Sequence, residues 1–195
     1  MCSSLIFKTK LLHSIIMVIL NRHILPAENN SEIWTIKRTV LRNAFIDPPH
    51  VANGNMYLVK KGAVKICLFN NDKETILNFA TEGDLVCNLI SFFTGKPSEV
   101  YLQAIKKTEL IGMPKATFDS LLGSDSQFAF NYRKALENKI VEILNKQVIH
   151  FTHSPQQRID ILLQQKPDIF QQIPKRYIAY YLGLAPETLS RLIKS

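Results

Sequence analysis

The chain has 195 residues, 46% of them hydrophobic and 21% charged, which is ordinary for a globular protein and long enough for one large domain or a domain with an appendage. The net charge of +8 and pI near 9.4 favour a polyanionic partner. Three cysteines, Cys2, Cys67 and Cys87, are odd in number and lack CxxC spacing, which excludes a disulfide framework and a zinc site and points to a reducing cytoplasm.

The apolar run Leu11–Leu20 follows Lys8 and Lys10 and imitates a signal peptide. It spans ten residues, contains His13 and is not followed by a small-residue cleavage site. A membrane span needs about 18–20 apolar residues, so a buried or amphipathic N-terminal helix is expected, with no membrane partner.

From Trp34 the segment WTIKRTVLRNAFI has β-branched and aromatic residues and poor helical periodicity, and reads as strand. Asp47–Asn55 is a dense turn signal with Pro48, Pro49 and Gly54. MYLVKKGAVKICLFNNDKETILNFA then reads as three strands turning at Gly62 and at Asn70–Asp72. After a break at TEGD come Leu85–Ile90, a loop FFTGKP, and short apolar runs at Val100–Ile105 and Glu109–Met113. Short strands at regular spacing predict an antiparallel sandwich or barrel within an α+β chain.

Pro114 suits the first turn of a helix that KATFDSLL continues to Gly123. Ser126 to about Phe151 holds no Pro or Gly, and Leu136, Ile140, Ile143 and Gln147 fall at steps of four, three and four, with Leu144, Val148 and Phe151 beside them. A helix of that span is about 39 Å long and overhangs a single small domain, so its stripe is expected to form the seam of a homodimer. The expected division is 1–125 for an N-terminal helical segment and barrel, 126–152 for the dimerisation helix, and 153–195 for a DNA-binding tail.

The tail carries six Lys/Arg against three Asp/Glu in its last 42 residues. Ser154-Pro155 is a helix start, and QQRIDILLQQK an amphipathic helix stopped before Pro167. In IPKRYIAYYLGLAPETLSRLIKS, Ala179 sits one turn before Gly183, and Pro174 and Pro186 fit the first positions of two helices. A small residue at the contact, a glycine for the turn and apolar anchors at Ile178, Leu182, Leu184, Leu189 and Leu192 make a helix-turn-helix pattern. The second helix would expose Glu187, Thr188, Ser190, Arg191 and Lys194. Arg191 suits guanine O6 and N7, Glu187 suits cytosine N4, and Ser190 assists them. Lys175, Arg176, Thr188 and Lys194 would meet phosphates. Glu187 and Arg191 also stand i, i+4, where a surface ion pair is the plainer reading. Nothing beyond the recognition helix is required for base contact.

The order of barrel, long helix and helix-turn-helix resembles the cyclic-AMP receptor protein/FNR (Crp/Fnr) family of bacterial transcription regulators over roughly 36–195. MYLVKKGAVKICLF is similar to that family's paired strands, EGDLVCNLISFFTGKP to its phosphate-binding cassette, and SPQQRIDILLQQKPDIFQQIPKRYIAYYLGLAPETLSRL to members from Bacteroidetes. Glu187, Ser190 and Arg191 resemble the FNR-type recognition helix. The resemblance implies a cytoplasmic homodimer on double-stranded DNA, with RNA polymerase as a further partner. It also implies where the cyclic-nucleotide pocket departs from the family. Asn88 stands at the ribose-binding Glu, Ser98 at the phosphate-binding Arg, Glu99 at its Ser neighbour, and Ile143-Leu144 at the adenine-contacting pair. The cation for a phosphate is missing, Lys96 lying in the loop, so no useful affinity for cyclic AMP is expected.

No cofactor is expected: an iron–sulfur cluster of the FNR type needs four cysteines, and Cys67 has no histidine near it in sequence for haem. A cupin-like metalloenzyme needs clustered ligands, and of His13, His23, His50, His150 and His153 only His50 falls in the barrel region. The leading expectation is a sequence-specific DNA-binding regulator without catalysis. The alternative is a sensor of an unidentified small molecule held in the barrel. Membrane or RNA binding has no motif behind it.

Overall fold

The computed structural model describes residues 30–70 and 73–194, leaving out the side chains of Asn70, Lys73 and Lys194. The expected N-terminal helix with its Leu11–Leu20 run, Cys2, His13, His23, the tip of the turn at Asn71–Asp72, and Ser195 lie outside the described residues. Eight strands come first, β1 (Ile36–Val40), β2 (Phe45–Asp47), β3 (Asn55–Lys61), β4 (Ala63–Asn70), β5 (Lys73–Thr81), β6 (Leu85–Val86), β7 (Tyr101–Ala104) and β8 (Thr108–Pro114). A helix α1 (Leu89–Thr94) interrupts them after β6. The helices α2 (Lys115–Ser124), α3 (Ser126–Thr152), α4 (Pro155–Gln165), α5 (Ile169–Gln172), α6 (Lys175–Tyr181) and α7 (Pro186–Lys194) follow.

The strands form two antiparallel sheets of four, ordered β1-β8-β3-β6 and β2-β7-β4-β5. The expected antiparallel sandwich within an α+β chain is present, and among the described residues the two sheets are not hydrogen-bonded into a closed barrel. They face each other across a core of Val40, Ile46, Tyr57, Val59, Val64, Ile66 and their neighbours. The period-2 rule then explains why β3 and β4 read as continuous apolar runs. Tyr57 and Val59 point inward, while Met56 and Leu58 join Phe92, Phe118, Phe128 and Tyr132 in a second core under α1, α2 and α3. Val64, Ile66 and Leu68 point inward, while Ala63 and Cys67 join a third core with the tail. Both faces of each central strand are covered.

Gly62 turns β3 into β4 at φ 110°, and a Cβ there would lie 2.6–2.8 Å from Thr108 and the Lys107 carbonyl. Only glycine fits both demands. The expected single strand from Trp34 is split, because Asn43 takes φ 64° between β1 and β2. FFTGKP is also not all loop. Asn88 caps α1 by accepting from the Ser91 N–H, and Phe92, Phe93 and Thr94 are helical. Thr94 ends that helix, with Gly95 left-handed at φ 68°.

Asp125 caps the 27-residue α3, accepting from the Phe128 N–H at 2.9 Å. Ser154 caps α4 in a full capping box with Gln157, with Pro155 in the first turn. Pro174 stands one place earlier than expected, as the cap of α6 rather than its first residue. The short α5 was not expected from the sequence; Ile169 and Ile173 anchor it and the following turn in the third core. Among the described residues no helix is long and apolar enough to cross a membrane.

One buried carboxyl strains this arrangement. Asp47 is fully buried at the end of β2 and accepts a hydrogen bond from Asn53 Nδ2. Its Oδ2 has no hydrogen-bond partner of normal geometry, although the Asn88 N–H lies close enough to favour the charged form. Burial pushes its pKa from 3.8 to about 6, against the opposing pull of Asn53 and Arg38. The folded state therefore holds the proton more tightly, so this stabilisation is complete below about 3.8 and lost as pH rises through about 6. Asp47→Asn should be more stable than the parent by roughly 1–3 kcal/mol at pH 8 and by little at pH 4. Urea unfolding at the two pH values reads the difference, and an equal effect at both would show that the carboxyl is not the cause.

Candidate nucleic-acid interface

The helix-turn-helix is built from local rules. The α6 helix ends with Gly183 at φ 69°. The Gly183 N–H donates to the Tyr180 carbonyl at 3.1 Å and the Leu184 N–H to the Ala179 carbonyl at 2.9 Å. Those two bonds are the pair of a Schellman motif, which satisfies carbonyls the helix leaves open and swings the chain aside. Pro186 then opens α7, and the Leu189 N–H closes the first turn on the Ala185 carbonyl at 3.1 Å.

Burial sorts α7 into two faces. Leu189 is buried in the third core and Leu192 packs against it, as does Leu184 in the turn. Glu187, Ser190 and Arg191 are exposed, and Thr188 is half-buried. The three proposed base readers thus share the outward side of one helix, with Glu187 in its first turn where the helix dipole favours a carboxylate. Lys175 and Arg176 are exposed at the start of α6. Arg176 lies over the Tyr177 ring, 4.6 Å from its centre, and donates to the Tyr177 hydroxyl at 2.8 Å. The side chain of Lys194 is outside the described residues.

The face beneath the tail was missed in the sequence. Ile159, Leu162, Ile169, Ile173, Ile178 and Leu182 pack on Ala63, Cys67, Ile76, Phe79 and Tyr101 of the β2-β7-β4-β5 sheet. Lys65 is buried there in an ion pair with Glu74, and its ammonium sits 4.9 Å from the centre of the Tyr177 ring. Glu74 also accepts from the Tyr101 hydroxyl at 2.6 Å. A lysine on the face of β4 opposite Val64 and Ile66 and a tyrosine at the start of α6 are the available signals, but nothing in the sequence links them.

At the cassette the predicted residues come together without forming an open site. Asn88 is fully buried, donating to the Val100 carbonyl at 2.8 Å and accepting from the Ser91 N–H at 3.3 Å. Ser98 is buried and accepts from the Val100 N–H at 3.0 Å. Both side chains hold the entry to β7, while Glu99 and Lys96 are exposed. Ile143 is half-buried and Leu144 exposed on α3. Burial holds the thiols of Cys67 and Cys87 protonated well above the ordinary cysteine range. No group of three or more His, Cys, Asp and Glu able to hold a metal occurs among the described residues.

The expected stripe on the long helix, with the apolar residues beside it, is unevenly exposed. Leu136 packs against the second core, and Ile143 and Gln147 are half-buried. The outward ridge is Ile140, Val141, Leu144, Val148 and Phe151, each 55–59% exposed. Of the four positions named for the seam, Ile140 alone lies on that ridge.

Residues 50–125 match the family model for the cyclic nucleotide-binding domain. That segment is therefore similar to a cyclic nucleotide-binding domain. It takes in β3 to β8, α1 and α2, and hence the cassette just described. No curated protein matches the chain. Among solved structures, FixK2 from Bradyrhizobium japonicum is 18% identical with a TM-score of 0.69, covering 82% of each chain. A CooA mutant from Carboxydothermus hydrogenoformans is 19% identical with a TM-score of 0.68, covering 93% of this chain and 86% of that one. The c-di-GMP-responsive global regulator CLP of Xanthomonas campestris is 17% identical with a TM-score of 0.59, covering 82% of this chain and 84% of that one. At these identities the likeness establishes a shared fold, which extends beyond the cyclic nucleotide-binding domain into the long helix and the tail. The shared fold agrees with the order of β-rich module, long helix and helical tail expected from the sequence.

Proposed function

We propose that the protein is a homodimeric, sequence-specific DNA-binding transcription regulator of the Crp/Fnr type, working in the cytoplasm without catalysis and without gating by cyclic AMP. The observation that carries the reading is the outward face of α7. Glu187, Ser190 and Arg191 stand exposed together on a helix whose other face is locked into the tail by Leu189. Exposed donors and acceptors on one short helix after a Schellman turn are what major-groove reading needs. The regulator CLP, a relative in fold, supports the same reading.

Lys175, Arg176, Thr188 and Lys194 would contact phosphates on either side. In a dimer the two α7 helices would meet half-sites about 34 Å apart. RNA polymerase is the partner such a regulator would recruit or block. Independence from cyclic AMP rests on Asn88 and Ser98, whose polar atoms are spent on the backbone, and on Glu99, which would repel a phosphate.

Selection of random duplexes with the purified protein and no nucleotide tests the reading: an inverted repeat should emerge. Arg191→Ala should then weaken binding by about 1–3 kcal/mol and relax preference at one base pair per half-site. If that variant kept both affinity and preference, α7 would be a packing helix rather than a reader.

A further inference from the structure

The sandwich interior holds the side chains of its own core, and space opens where the sheet, the long helix and the tail meet. A cleft of about 290 Å³ lies there, at the lower end of the size of small-molecule sites. Its charged wall is α3, which supplies Lys139, Glu142 and Lys146, with Lys166 facing them from the end of α4. Its apolar wall includes Phe79 from β5, Leu162 from α4 and Tyr181 from α6.

The charges of the cleft do not balance. Lys139 is only 7% exposed, and its ammonium bonds Glu142 at 2.6 Å. Lys146 bonds the other oxygen of the same carboxylate at 2.9 Å. Glu142 thus serves two cations, and although burial alone would raise its pKa, the bonds to both lysines lower it. Asp84 is the other carboxylate in the wall, and it already accepts from the Thr81 N–H at 2.8 Å and the Thr81 hydroxyl at 3.0 Å. Lys166 makes no ion pair among the described residues. Burial, with the charges of Lys146 and Lys166, pushes the Lys139 ammonium down, so both cations stand close to it; burial opposes the charge of Lys146 too, but Tyr181 and Glu142 outweigh it and hold that ammonium up. A buried ammonium such as that of Lys139, with like charges beside it, is costly unless anions match them. Beside them, the Phe79 and Tyr181 rings stand 5.5 Å apart at 56°, offering an apolar surface to a flat body.

We propose that this cleft binds a small organic anion, its carboxylate or phosphate group set among Lys139, Lys146 and Lys166 and its flat apolar part against Phe79, Leu162 and Tyr181. The site is distinct from the cassette at Asn88 and Ser98. Its walls come from the cyclic nucleotide-binding domain, the long helix and the tail, so an occupant fastens the tail to the sheet. The binding claim does not rest on the DNA-reading role, and it is tested without DNA.

Titration calorimetry of the full chain with benzoate, phenyl phosphate and inorganic phosphate, at ionic strength matched with sodium chloride, provides the test. One site per chain is expected for an aromatic anion. At ten times its Kd, that anion should raise Tm by roughly 3–5 °C beyond the chloride control. Tighter benzoate binding would identify the group as a carboxylate, and tighter phenyl phosphate binding as a phosphate ester. Lys146→Gln and Lys166→Gln should each raise Kd about tenfold or more while leaving the circular dichroism of the anion-free protein unchanged. Absence of saturable heat with both aromatic anions at millimolar concentration overturns the proposal. So does a Kd that neither substitution alters.

Discussion

Ile178→Ala is expected to lower the free energy of unfolding by about 2–5 kcal/mol, the cost of deleting a fully buried aliphatic side chain and leaving part of its cavity. Ile178 is fully buried in α6, in the cluster that holds the tail helices together and packs them on the sheet. The change therefore acts twice. It loosens the packing that orients α7, and it weakens the seat of the tail on Ala63, Cys67, Phe79 and Tyr101. Collapse around the cavity is limited, because the bulky neighbours Ile159 and Ile173 are themselves fully buried. Urea unfolding should show a lower midpoint, and DNA affinity should fall with it although Ile178 is not placed in the groove. A loss below about 1 kcal/mol would mean that this cluster is not a working core.

Ile140→Asp is expected to separate the proposed dimer while leaving each chain folded. Ile140 is exposed on the outward ridge of α3 with Val141, Leu144, Val148 and Phe151. Five large apolar side chains along one side of a helix form a patch that a chain standing alone would not favour. A second copy laid against the same ridge buries it symmetrically. An aspartate in the middle of that seam would lose its water without gaining a cation, at a cost of about 3 kcal/mol or more, so the dimer Kd should rise by at least roughly 100-fold. Light scattering and circular dichroism together decide it: expected are a halved mass and an unchanged helix signal. A parent protein that is already monomeric at micromolar concentration would remove the seam altogether.

The ridge is a feature that local pattern alone leaves open. From Leu136 to Phe151 apolar residues occupy more than one stripe, and periodicity finds a helix without saying which stripe the chain covers for itself. Leu136 is drawn inward by the aromatic core around Phe118, Phe128 and Tyr132, which ends the ambiguity in the folded state. The cassette follows the same pattern. Asn88 and Ser98 were identified as unsuited to a nucleotide, but that they bond opposite sides of one residue, Val100, could be seen only with β7 in place.

What the sequence determined by itself was local. The starts at Ser154 and Pro186, the turn at Gly183 and the glycine bend at Gly62 all rest on caps and φ angles settled within a few residues. The regular spacing of short strands also announced the sandwich, and β3 and β4 read as continuous apolar runs because both of their faces are covered. Tertiary structure alone decided which faces meet. It set the tail on the sheet over Lys65, turned the ridge of Ile140 outward, and gathered Lys139, Lys146 and Lys166, from two helices, around one cleft. Burial is nondirectional and joins residues far apart in the chain, so the identity of a residue announces that it will be buried or charged, and only the packed whole determines against what.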